Sequence, residues 1–159
     1  MPNLIELIKS GITENKSLVD IYSESNDVVD KIDFYRNVLT LIENGQIPNV
    51  LICFCGHDCS KCRTFHATLS NDNNMRKNII EYYRSEFKQD IPIDKLYCLS
   101  GRSDVIMEGC RDCPFMKCCR GKNLQACSEC TQYPCQMLDI YIKTYVNKSN
   151  QIKCQGEVP

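Results

Sequence analysis

The sequence predicts a mainly α-helical protein whose helices surround a cysteine-rich, irregular segment ordered by metal. Apolar residues recur at helical spacing in several stretches, which is typical of amphipathic helices. Twelve of the thirteen cysteines lie between Cys53 and Cys135. Residues 98–134 show no clean period and hold few large apolar side chains, so burial alone cannot offset the entropy of ordering them.

The clearest predicted helix covers residues 27–44, with Asn26 or Asp27 as its cap and Gly45 as its stop. Its apolar stripe consists of Val28, Ile32, Tyr35, Leu39 and Ile42.

Four further helices are predicted from shorter patterns. One covers residues 3–9, and one begins near Cys59 and carries Cys62, Phe65, His66 and Leu69 on one side. Another runs over residues 75–87 after a polar loop at 70–74. The last has Pro134 in its first turn and an apolar face made of Met137, Leu138, Tyr141, Ile142, Tyr145 and Val146.

The cysteine distribution predicts three parts of the chain. Residues 1–50 lack cysteine and form a helical N-terminal extension, residues 51–148 form the cysteine-rich metal-binding domain, and residues 149–159 form a flexible tail. The length of 159 residues suits a single modest core.

Composition predicts a cytoplasmic location and no membrane partner. The net charge is −1, no apolar run reaches the roughly 18–20 residues that span a bilayer, and the N-terminus lacks the pattern of a signal peptide. In a cytosolic chain, dense cysteine indicates metal binding rather than disulfides. Arg111, Lys117, Arg120 and Lys122 stand among the thiols; with few aromatics nearby they favour thiolate stabilisation over a nucleic-acid surface.

The first cysteine cluster is Cys55, Cys59 and Cys62, a C-x3-C-x2-C spacing in which Gly56 permits a tight turn. Three thiols this close can share one ion. His57 and His66 are possible fourth ligands, although a packed or surface histidine is the more common case.

The second feature is an internal repeat, which is the strongest pattern in the chain. Two copies of C-x2-C-x4-C follow one another, made of Cys110, Cys113 and Cys118, then Cys127, Cys130 and Cys135. Structural zinc takes four ligands, so these thiols, with Cys98 as a completing ligand, predict about two sites. In one assignment, the first site is made of Cys110, Cys113, Cys127 and Cys130. The first cysteine cluster then forms the second site with Cys98, Cys118 or Cys135 as its fourth ligand.

Three cysteines are not predicted to bind metal. Cys53 lies in an apolar run and is expected to be a core thiol. Cys119 directly follows Cys118, and only one of the two normally faces a given ion. Cys154 lies alone in the tail and is expected to be free.

In motif order, the chain resembles a prokaryotic cysteine-rich family, domain of unknown function 3795, over roughly residues 53–138. The shared motifs are C-G-x2-C-x2-C with an aromatic, here Cys55 to Phe65, and C-x2-C-x2-Y-P-C, here Cys127 to Cys135. Where that family shows C-x-G-C, this chain has Cys98 followed by Leu-Ser-Gly-Arg, one thiol fewer. The resemblance implies a zinc-binding domain without an established activity.

The predicted function is that of a binding or regulatory module that holds structural zinc and contacts protein partners. The alternative is an iron–sulfur redox or sensor protein, since thiolate ligands suit both metals. A further alternative is a thiol-reactive enzyme using Cys135 near a helix N-terminus. The sequence contains no G-x-S-x-G, P-loop or G-x-G-x-x-G motif, which favours a non-enzymatic role.

Overall fold

The computed structural model describes residues 3–25 and 29–146, and within these residues the chain is mainly helical and has no β-strand. The predicted fold class is therefore confirmed. The α-helices are α1 (Leu4–Thr13), α2 (Leu18–Glu24), α3 (Lys31–Glu43), α4 (Arg63–Ser70), α5 (Asn73–Phe87), α6 (Glu108–Arg111), α7 (Pro114–Gly121) and α8 (Gln136–Tyr141).

The first three helices each begin at a polar cap. Asn3 and Glu6 form a reciprocal capping box at α1, and Ser17 caps α2, a helix that the sequence analysis did not predict. The cap of α3 is Asp30, which accepts a hydrogen bond from the Ile32 N–H, so the helix begins later than expected. The predicted caps Asn26 and Asp27, together with Val28, lie outside the described residues.

The helix expected near Cys59 begins at Arg63 instead. Cys59–Lys61 form a 3-10 turn, and Cys62 then occupies the N-cap of α4 in an extended conformation. Asn71, with φ +50°, ends α4, and Asp72 caps α5.

The cysteine-rich segment contains more regular structure than its sequence predicts, because α6 and α7 lie within it. Helix α7 has Pro114 in its first turn and buries Phe115, Met116 and Cys119 on one face.

Helix α8 begins at Gln136, so Pro134 precedes the helix rather than lying in its first turn. A π-helical turn, Ile142–Val146, continues α8. The side chains of Tyr145 and Val146 and the predicted tail at 149–159 lie outside the described residues.

The N-terminal helices and the start of the cysteine-rich region share one apolar core. Phe34, Val38 and Leu41 of α3 lie in the same buried cluster as Leu51 and Phe65. This packing holds the loop that carries Cys53 and Cys59 against a rigid surface. Within the described residues, no helix combines the length and apolar character that crossing a membrane requires.

Candidate metal centre

Four thiols from two distant segments gather between the apolar core and α4. We call Cys53, Cys59, Cys62 and Cys98 the inner thiol cluster. The Sγ atoms of Cys53 and Cys59 are 3.0 Å apart, and Cys59, Cys62 and Cys98 are each 5% exposed or less.

A tight reversal of the chain brings Cys53 to Cys59. The Cys53 N–H donates to the His57 carbonyl at 2.8 Å, and the Cys59 N–H donates to the Leu51 carbonyl at 3.1 Å. Gly56 has φ +95°, a conformation that favours glycine, which confirms the predicted turn.

Cys98 reaches the cluster from a loop that α4 and α5 hold in place. The Cys98 N–H donates to Thr68 Oγ1 at 3.0 Å. The Leu96 carbonyl, two residues earlier, accepts a hydrogen bond from Nε of the fully buried Arg76 at 3.3 Å. These two bonds fix the backbone on which Cys98 is carried.

Backbone amides face the sulfurs of the inner thiol cluster. Gly101 bonds to both Cys53 and Cys59, the amides of Thr64 and Phe65 bond to Cys62, and those of Ser100 and Met107 bond to Cys98. Each of these bonds lowers the pKa of its thiol, because it stabilises the thiolate form.

Burial opposes the amides and is the largest influence on the pKa at two of the four thiols, Cys62 and Cys98. Burial raises the pKa of Cys62 to about 11 and that of Cys98 to about 12, with a smaller contribution from neighbouring thiols. The pKa of Cys59 is raised by its hydrogen bond with Cys53 and by burial. The pKa of Cys53 is lowered, first by that same hydrogen bond with Cys59.

The remaining predicted ligands fall into other places. Cys55, Cys113 and Cys127 are not members of the inner thiol cluster, and Cys113 and Cys127 pack against the apolar cluster of Phe54, Met116 and Cys119. Cys110 packs against the apolar cluster that also contains Cys98.

Three more predicted ligands, Cys118, Cys130 and Cys135, line a cleft of about 90 Å³ together with Cys119 and Cys127, and we call it the thiol cleft. Lys122 Nζ lies 3.7 Å from the Sγ of Cys130 in this cleft. The thiolates of Cys118 and Cys130 raise the pKa of Lys122.

The structure also places the residues that sequence reasoning set aside or held as alternatives. Cys53, expected to be a core thiol, is half-buried and contacts Cys59, and Cys119 is buried beside Cys127. His66 Nε2 donates to the Ser60 carbonyl at 2.6 Å, and His57 is buried. Cys154 lies outside the described residues.

The described part of the chain holds no group of three or more His, Cys, Asp or Glu side chains that could hold a metal ion as they stand.

A family model described as "Protein of unknown function (DUF3795)" matches residues 51–140, more than half of the chain. The chain belongs to this family. No curated protein and no solved structure matches the chain. The matched region of this DUF3795 protein begins at Leu51 and includes every cysteine of the inner thiol cluster. The helices α1 to α3 precede the match, yet they supply much of the core behind the cluster.

Proposed function

We propose that the cysteine-rich domain binds structural zinc and that the inner thiol cluster is its first site. The observation that carries the proposal is the convergence of four buried or half-buried thiols from residues 53–62 and residue 98, with amide donors facing their sulfurs. A set of four thiolates is a common ligand set of structural zinc, and hydrogen bonds to ligating atoms support such sites.

The Cys53–Cys59 pair can be compared with the spacing that zinc requires. A tetrahedral ion with Zn–S bonds of about 2.3 Å separates two sulfurs by about 3.8 Å. The Cys53–Cys59 pair, at 3.0 Å, would therefore open by about 0.8 Å. Zinc supplies positive charge that keeps buried thiolates deprotonated, and it couples binding to folding at about 10 kcal/mol.

In this role the ion ties the Cys98 loop to the turn at Cys53–Cys62, and the domain serves as a binding or regulatory module for proteins. Tyr133, Met137 and Ile140 support protein binding, since all three are large apolar side chains that are exposed on or beside α8.

The test is the metal content of protein purified without oxygen. We expect about two zinc ions per chain by the four-ligand rule, and Cys62→Ser should lose about one of them. Cys154→Ser is the control, because that cysteine lies outside every spaced motif.

Iron with matching acid-labile sulfide and little zinc would replace the zinc proposal with an iron–sulfur cluster. Full zinc content in Cys62→Ser would refute the assignment of a zinc ion to the inner thiol cluster. Rapid alkylation of Cys135 alone in metal-loaded protein would favour the thiol-reactive enzyme.

A further inference from the structure

The contact between Cys53 and Cys59 is close enough for a second kind of chemistry at the inner thiol cluster. The two Sγ atoms are 3.0 Å apart, whereas the sulfurs of a disulfide are about 2.05 Å apart. The pair therefore lies about 1 Å from bonding distance. A movement of similar size in the opposite direction gives the spacing that zinc requires, so the same two sulfurs can serve either state.

The backbone of the turn explains why these two side chains meet. Ile52 pairs with Asp58 in a short antiparallel bridge, and the hydrogen bonds donated by the Cys53 and Cys59 amides continue that pairing on both sides. Side chains alternate between the two faces of such a pair, so Cys53 and Cys59 share one face. They are diagonal neighbours on that face, a relation in which side chains can interact.

A close approach of the backbone at Gly101 confines the Cys53 sulfur. A Cβ atom at Gly101 would lie 2.6 Å from the Cys53 Sγ, so only glycine lets the chain come this near without a shift. The next residue, Arg102, donates from Nε to the Ile52 carbonyl at 2.9 Å and ties this loop to the residue before Cys53. The sulfur is therefore held beside Cys59, and holding two reacting groups in place favours the bond between them.

Burial gives the two thiols different access to solvent. Cys59 is 5% exposed, whereas Cys53 is half-buried. Cys62 and Cys98, the other members of the cluster, are as deeply buried as Cys59. A small oxidant therefore reaches Cys53 first, and Cys59 is the thiol positioned to react with the oxidised sulfur.

We propose that Cys53 and Cys59 form a redox pair that hydrogen peroxide converts to a disulfide. The Cys53 thiolate attacks one peroxide oxygen, the O–O bond breaks, and the released hydroxide takes up the proton that Cys53 lost. Cys59 then attacks the sulfur of the Cys53 sulfenic acid, so that the S–S bond forms as the S–O bond breaks. The hydroxyl group leaves with the Cys59 proton as water. Two thiols thereby lose two electrons, and one peroxide is reduced to two water molecules.

Formation of this disulfide releases zinc, a consequence that rests on the proposed function. The thiolate is the form of cysteine that binds metal, and the disulfide removes two of the four thiolates of the inner thiol cluster. Cys62 and Cys98 alone cannot complete a structural zinc site, which takes four ligands. The redox pair thus makes the bound ion sensitive to peroxide, and a thiol reductant restores the binding form.

Disulfide mapping in the full chain tests the redox pair without any variant. Protein purified without oxygen is treated with hydrogen peroxide, alkylated at its remaining thiols, and digested with chymotrypsin and Asp-N. Cleavage after Phe54 separates Cys53 from Cys55, and cleavage before Asp58 separates Cys55 from Cys59. Mass spectrometry should find Cys53 linked to Cys59, and dithiothreitol should break that link.

Cys55 is the matched neighbour, because the C-x3-C spacing groups it, rather than Cys53, with Cys59. Cys55→Ser should keep the disulfide, and Cys53→Ser should lose it. In concentrated guanidinium chloride the preference for Cys53 over Cys55 should disappear, since the turn that joins Cys53 to Cys59 is lost. A Cys55–Cys59 link in the folded protein, or sulfinic acid at Cys53 without any disulfide, overturns the proposal.

A zinc indicator read during the same oxidation separates the redox pair from the proposed function. About one zinc ion should be released for each Cys53–Cys59 disulfide formed. A Cys53–Cys59 disulfide in protein that was purified without zinc supports the redox pair and refutes the zinc site. Zinc that stays bound while peroxide produces no disulfide refutes the redox pair and leaves the zinc site supported.

Discussion

Substitution of Gly101 by alanine tests the inner thiol cluster most directly. A Cβ atom added at Gly101 would lie 2.6 Å from the Cys53 Sγ, about 0.8 Å closer than the shortest ordinary contact of 3.4 Å. Cys53 must therefore move, although its sulfur accepts the Gly101 N–H and lies 3.0 Å from the Cys59 Sγ. Overpacking of this kind costs about 1–3 kcal/mol. When the metal-free protein relieves this strain and the zinc-bound protein does not, the cost corresponds to roughly 5- to 150-fold weaker zinc binding.

Competition with a chromophoric chelator measures the zinc affinity of Gly101→Ala. Gly121→Ala is the matched control, because a Cβ at Gly121 meets nothing within 4 Å. We expect Gly101→Ala to release zinc at lower chelator concentrations than the unchanged protein does. Gly121→Ala should release zinc at the same chelator concentrations as the unchanged protein. Identical competition curves for the two variants would refute the assignment of a metal to Cys53 and Cys59.

Four further outcomes follow from the same contacts. Thr68→Val removes the acceptor of the buried Cys98 N–H and should lower the free energy of unfolding by about 1–3 kcal/mol in denaturant titrations. In metal-free protein, burial raises the pKa of Cys62 and Cys98 from 9.0 to about 11 and 12, so unfolded thiols ionise first. The unfolding free energy should hold steady below pH 9 and fall from pH 9 toward 12, and calorimetry that shows no fall would contradict this. A strong chelator should abolish amide protection across residues 98–135 before the remaining helical signal is lost, as followed by hydrogen exchange. Cys154→Ser should change neither zinc content nor melting temperature, and a loss of either would contradict the ligand assignment.

The helices could be predicted wherever the apolar period was long. The stripes of α3 and α5 are clear in the sequence because several turns of each helix face a core. Helices α2 and α7 have only seven and eight residues, too few for a reliable period. Helix α7 also buries a cysteine, Cys119, on its inward face beside Phe115 and Met116, and the sequence analysis did not count Cys119 toward an apolar period.

The thiols of each set could be predicted only in part, because spacing along the chain does not show which way a side chain points. The motif C-x3-C-x2-C groups Cys55 with Cys59 and Cys62. In the structure, the turn at Gly56 reverses the chain between Cys53 and Cys59, so Cys53 meets Cys59 while Cys55 lies in the turn between them. The short antiparallel pairing of Ile52 with Asp58 carries this register, with Leu51 buried and Ile52 exposed, although both are apolar in the sequence.

Arg102 joins the backbone beside the inner thiol cluster to the backbone beside the thiol cleft. The Arg102 Nε donates to the Ile52 carbonyl at 2.9 Å, and its Nη2 donates to the Gln125 carbonyl at 2.5 Å. Its guanidinium lies 3.8 Å from the centre of the Phe54 ring. Burial lowers the pKa of Arg102, whereas the thiolates of Cys53 and Cys119, one from each group, raise it. Because this cation is held between both sets of thiols and bonded to the backbone beside each, displacement of either set disturbs the contacts that position the other.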